Sequence, residues 1–231
     1  MAALSRLTDP HAGDWVNERL LGHDLPGIPV GSVVPTGFSR VVRVFHPAGA
    51  QTWAQIAAAN DRKMHPLAQW CGICPDFDGT SRNGDDDPEE GSMPPDVQAA
   101  VFDHLPGEDL VFAVWVGWGS WTDLELPEVV MPGWGGRDYA LFTGPKGVVT
   151  TWPGMQETFP QSASLVWPQD HAWCLATDID WDSTLVAAGD AVAEGLLADD
   201  RLETFEVAYF DDLSWPGDGV NPAPPWLPRP F

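Results

Sequence analysis

The chain has 231 residues, 44% of them hydrophobic, and a formal net charge of -23 with a pI near 4.2. That apolar content excludes a disordered chain, and the length provides a proper core for one large domain or two small ones. The eleven basic residues are scattered, which excludes a nucleic-acid interface built on a basic face, because neutralising phosphates takes clusters of Lys and Arg.

The acidity itself has two readings. Only two of the basic residues are Lys, a composition that a GC-rich genome produces without any functional demand. The other reading is attraction to basic partners or cations. Three Cys leave an odd thiol and no dense disulfide framework, as suits a reducing compartment. The start, MAALSRLTDP, has no apolar core of signal-peptide length, and no stretch approaches a membrane span. The expectation is a cytoplasmic protein with no membrane contact.

In chain order, residues 1–37 begin with a short helix in which Asp14 is the N-cap, Val16 and Leu20 lie four apart and Gly22 ends it. Pro26, Pro29 and Pro35 then keep the connector extended. Ser39 to Phe45 is β-branched and reads as a strand. Thr52 and Gln55 form a capping-box pattern ahead of a helix of about two turns.

Residues 75–95 combine Gly and Pro with the acids Asp85, Asp86, Asp87, Glu89 and Glu90, the composition of a mobile loop. Pro95 suits the first turn of a helix with Val97, Val101 and Leu105 on one face.

Residues 110–118 are apolar on both faces, as in a central strand. RDYALF and GVVTTW read as two further strands joined by a hairpin at Gly144-Pro145-Lys146-Gly147. In the stretch Trp173 to Ile179, Trp173, Leu175 and Ile179 share one face and Cys174, Ala176 and Asp178 the other, a buried strand. A helix capped by Asp190 and a late strand over 204–210 follow. These elements predict an α+β fold with a mainly antiparallel central sheet and a few short helices on one face. The predicted domain spans residues 1–213, with the acidic loop at 75–95 inside it. The six prolines after residue 213 predict an extended tail over 214–231.

Two motifs suggest chemistry and then fail their context. Trp70 to Cys74 reads WCGIC, like a thioredoxin motif, but no apolar strand precedes it and acidic surroundings raise a thiol pKa. A zinc site needs about four ligands, and there is no second Cys-x-x-Cys. Asp178, Asp180 and Asp182 match the start of an EF-hand loop, but Ser183 stands where Gly is needed and Gly189 where a bidentate Glu is needed. The motifs of phosphate cradles, hydrolase elbows and metalloprotease helices are missing, so neither cofactor nor metal is expected.

What remains is a polar site around Asp170, His171, Asp178, Asp180 and Asp182, and a Trp cluster. Trp115, Trp118 and Trp121 at a strand end, followed by Asp123, suit a sugar-stacking platform or a protein hot spot. They equally suit a core that is poor in Ile and Leu.

The segment LVWPQDHAWCLATDIDWDSTLVAAG, with LLADDRLETFEV, RDYALFTGP and FAVWVGWG, resembles an uncharacterised protein family of high-GC Gram-positive bacteria. That family carries a block like N-L-W-W-P-x-D-R-A-W-C-V-A-T-E-I-D. Here His171 stands where Arg is usual and Asp178 where Glu is usual. The resemblance implies no known reaction, and an Arg–acid mechanism in the family would be compromised here. At fold level only, the chain is also similar to the SUKH superfamily of immunity proteins, acidic α+β proteins that neutralise toxins.

The expectation is a non-catalytic module that binds a basic protein partner, of immunity or antitoxin type, through Trp115, Trp118, Trp121, Asp123, Asp85, Asp86 and Asp87. The rival is an enzyme or carbohydrate-binding protein using residues near 115–125 and 170–182. A deep pocket with converging carboxylates and His171 favours the rival.

Overall fold

The structure is a computed structural model that describes residues 4–22, 24–75, 87–117, 131–132, 136–151 and 161–223. Asp85, Asp86, Trp118, Trp121 and Asp123 lie outside the described residues.

The elements run β1 (Ser5–Arg6), α1 (Asp14–Arg19), β2 (Arg40–Phe45), α2 (Trp53–Ala59), α3 (Trp70–Ile73), α4 (Pro95–His104) and β3 (Asp109–Trp115). They continue with β4 (Met131–Pro132), β5 (Asp138–Pro145), β6 (Leu165–Pro168), β7 (Trp173–Ala176), β8 (Ser183–Ala188), α5 (Asp190–Leu197) and β9 (Glu203–Val207). The nine strands form one sheet in the order β1-β5-β3-β6-β7-β8-β2-β9, with β4 added beside β5. Every pairing is antiparallel. The fold is α+β, as expected from strands that arrive in adjacent groups.

Local chemistry explains several boundaries. Thr52 accepts from the Gln55 amide at 3.2 Å while the Gln55 side chain accepts from the Thr52 amide at 2.9 Å, so the capping box starting α2 is complete. Pro95 occupies the first turn of α4, and Val97, Val101 and Leu105 are buried. Gly13, with Asp14 already helical, is the N-cap of α1.

Alternation along the strands divides the core. Val42, Phe112, Phe142, Trp173, Leu175 and Val186 meet α4 and α5 on one face. Val41, Val111, Leu141, Cys174, Ala176 and Leu185 meet Val16 of α1 and the segment 30–34 on the other. Short α2 and α3 add Trp53, Trp70 and Ile73 around Phe45. Trp173 is fully buried, and its indole N–H donates to the Pro106 carbonyl at 2.7 Å. Burying so large a ring removes roughly 150–250 Å² from water, worth about 4–6 kcal/mol before entropy is counted.

One expectation is corrected. GVVTTW is not a strand: Lys146–Thr151 is a 3-10 turn, and β5 pairs with β3 instead. Val148 and Val149 are consecutive and both buried in the same cluster, which a strand with alternating faces cannot do. Residues 87–95, the described end of the expected 75–95 loop, are packed on the body, with Ser92 and Met93 buried and two hydrogen bonds tying them to Ser162. The C-terminal segment is fastened as far as Asn221, which exchanges hydrogen bonds with the backbone of Lys63.

Candidate functional site

The short turn after β7 carries two of the expected acids. Asp178 and Asp180 both receive Arg137, Asp178 at 2.8 Å and Asp180 through the other terminal nitrogen. Asp178 Oδ1 also accepts from the Asp180 amide at 3.2 Å, which folds the turn back on itself. Burial raises the Asp178 pKa in spite of Arg137, because taking the carboxylate out of water outweighs its partner.

Tyr139, Ser164 and Asp178 line a cleft walled by Val16, Leu20 and Val33. Burial pushes the Tyr139 phenol up, and Asp178 pushes it further. Ser164 Oγ is buried and finds no hydrogen-bond partner among the described residues. The cleft has about 10 Å³ of room, on the order of what one water takes. That is room for a water-sized group between a hydroxyl and a carboxyl, and too little for a sugar ring.

The other acids go elsewhere. Asp170 and His171 sit in the β6–β7 turn, at the opposite end of β7 from Asp178. Asp170 accepts from the Ala172 amide, and His171 adopts φ 55° to close the turn. The His171 ring stacks on Trp15 with centroids 4.2 Å apart, and burial followed by the charge of Arg19 lowers its pKa. It is an aromatic packing partner.

Asp182 lies 4.0 Å from buried Arg43. Arg43 also donates to Ser183 Oγ and to the carbonyls of Pro66 and Ala68. Burial still lowers its pKa to about 10. Nearby, Asp218 accepts from His65, the Gln69 amide and Asn221.

Cys71 is buried, and burial, then Asp182 and Asp218, raise its thiol to about 11. It is a protonated thiol at neutral pH. Among the described residues, no group of three or more His, Cys, Asp or Glu converges to hold a metal. Asp87 turns out to accept from the Trp70 indole at 3.0 Å. Trp115 is half-buried, packed against the core on the α1 side.

A larger feature has no motif in the sequence. Among the described residues β9 ends the sheet, and an open groove of about 610 Å³ lies at its C-terminal end, between Ser39–Val41 at the start of β2 and residues 206–211. The expected strand over 204–210 stops at Val207 because Asp211 caps the turn. Its carboxylate accepts from the Ala208 amide at 2.7 Å, and its own amide donates to the Ala208 carbonyl.

Tyr209 is pinned by both polar groups of the Phe38 backbone. Phe210 is left at the tip, 73% exposed. Hydrogen bonds from Val30 to Asp211 and from Gly31 to Tyr209 hold the turn against the body. An exposed Phe on a braced turn, beside a sheet edge, is the geometry of a contact anchor. Its sequence signal was Phe210 next to Asp211-Asp212 at the end of an apolar run.

No protein-family model, curated protein or solved structure matches this chain. No helix among the described residues is long and apolar enough to cross a membrane.

Proposed function

We propose that the chain is a non-catalytic protein-binding module whose partner is a basic protein. The observation that carries this reading is the open groove at the C-terminal end of the edge strand β9, with Phe210 exposed on its wall. The net charge of -23 supplies the attraction. The candidate acid–base groups support the same reading from the other side. Asp178 and Asp180 share Arg137, His171 is stacked on Trp15, and Cys71 holds its proton. The neutralisation of a toxin, the sharpest form of the reading, rests on the likeness in fold class and acidity to immunity proteins.

The test begins with a partner recovered from the host, purified and then titrated against the chain across a salt series. The expected on-rate falls steeply as ionic strength rises, and Phe210→Ala raises the off-rate with little effect on the on-rate. A partner bound with a salt-independent on-rate would overturn the electrostatic reading.

A further inference from the structure

We infer that the outer edge of β9 is the docking site, and that it takes an extended segment bearing Lys or Arg as an added strand. This deepens the binding-module reading and rests on it.

Among the described residues β9 pairs only with β2, in a register that sets Val41 opposite Val207 and Phe45 opposite Glu203. The outward backbone groups of such a strand form half of a ladder, which a second extended chain completes at little cost in side-chain fit. The groove lies where this edge ends, between residues 206–211 and Ser39–Val41 of the neighbouring β2, with Phe210 exposed on its wall.

The rim decides which chain fits. Arg40 is paired to Glu206 and also lies within the field of Glu194 and Asp190. Three carboxylates thus act on one guanidinium, and Asp211 adds a fourth acid to the groove wall. An added strand therefore gains by carrying positive side chains.

The same charges weigh against two other occupants. A second copy of this chain would bring its own Glu206 and a further charge of -23 to the edge. The chain's last residues contain Pro222, Pro224, Pro225, Pro228 and Pro230, and proline cannot donate to a ladder. Carboxylates on an edge strand discourage self-pairing; the repulsion that does so is what makes a cationic strand the favoured guest.

The test uses the whole chain, amide NMR and a short synthetic peptide alternating Val with Lys. Two control peptides replace Lys by Glu, or carry N-methyl groups on alternate residues. The lysine peptide is expected to shift amides across 203–211 and to slow hydrogen exchange along β9, while neither control does. Glu194→Lys, at an exposed helix position, should weaken the lysine peptide by about threefold, the scale of one exposed charge pair.

Equal binding of the N-methylated peptide would replace strand addition by simple electrostatic adhesion. Shifts confined to other residues, or none at millimolar peptide, would overturn the site. Removal of residues 224–231 is expected to leave the β9 amides in place; a change there would make the chain's own tail the occupant. A native partner that binds Glu194→Lys and Phe210→Ala at wild-type strength would overturn the β9 site and leave the module reading intact. A purified partner with a salt-independent on-rate would overturn that reading instead.

Discussion

His46 is fully buried, with Nδ1 2.7 Å from the Glu89 carbonyl and Nε2 2.9 Å from Thr184 Oγ1. A carbonyl only accepts, so Nδ1 carries the proton and Nε2 must accept from Thr184, which leaves Thr177 to donate to Thr184 at 2.7 Å. One neutral imidazole thus orients a chain of hydroxyls between β2, β7 and β8. Burial lowers the His46 pKa from 6.5 to about 4. Its contribution to stability is full above pH 6.5 and is lost as pH falls through 4.

Glu89 behaves in the opposite sense. Burial, then the nearby Asp96, raises its carboxyl from 4.5 to about 7. Its contribution is full below pH 4.5 and is lost as pH rises through 7. The two therefore offset each other across the mildly acid range.

Glu89→Gln removes one side of that balance. The variant should exceed wild type in stability by about 1–2 kcal/mol at about pH 8, a discounted figure because the side chain is only half-buried. Its advantage should shrink to near zero at about pH 5, below the folded pKa of Glu89. Urea unfolding at the two pH values measures this. Equal stability at the higher pH would mean that the Glu89 carboxylate is well solvated.

At the scale of elements, the turn between β7 and β8 is seated on the segment before α4. The Gly91 amide donates to the Trp181 carbonyl at 2.8 Å, and Gly91 takes φ 76°. A Cβ placed there would lie 2.5 Å from the Ile179 carbonyl oxygen, a backbone atom. Gly91→Ala should cost about 2 kcal/mol or more, since it combines left-handed strain with a clash that no rotamer relieves. A denaturation midpoint equal to wild type would show that the turn gives way freely.

That seating also shows where a sequence stops being readable. The capping box of α2, the Pro95 start of α4 and the doubly apolar β3 announce themselves because their causes lie within a few residues. β8, Ser183–Ala188, does not: it is buried on both faces, with Ser183, Thr184, Ala187 and Ala188 flanking Leu185 and Val186, so no alternation marks it. Arg137, the partner of Asp178, stands 41 positions away, and only the fold brings them together. The acids were legible as a run, but not that they separate toward Arg137 and Arg43. The β9 groove was invisible for the same reason, because being an edge is a property of strand order.

For the whole molecule the deciding quantity is charge. With 34 carboxylates and eleven Lys and Arg, 34 - 11 leaves 23 acids without a cation of their own even under perfect pairing. The ion pairs described are few and local, such as Arg201 with Asp199 and Asp103, and exposed pairs are worth about 0–1 kcal/mol each. Long-range repulsion among the remainder should dominate. Raising ionic strength from about 0.01 M to 0.15 M shortens the Debye length from about 30 Å to about 8 Å, which screens that repulsion across the molecule. The melting temperature should then rise, by about 2–4 °C for each kcal/mol of repulsion relieved in a chain of this size. Thermal melts in a sodium chloride series measure it without any partner. A melting temperature that stays flat or falls would mean that the carboxylates are compensated locally. The long-range field that would steer a basic partner to the β9 edge would then be too weak to matter.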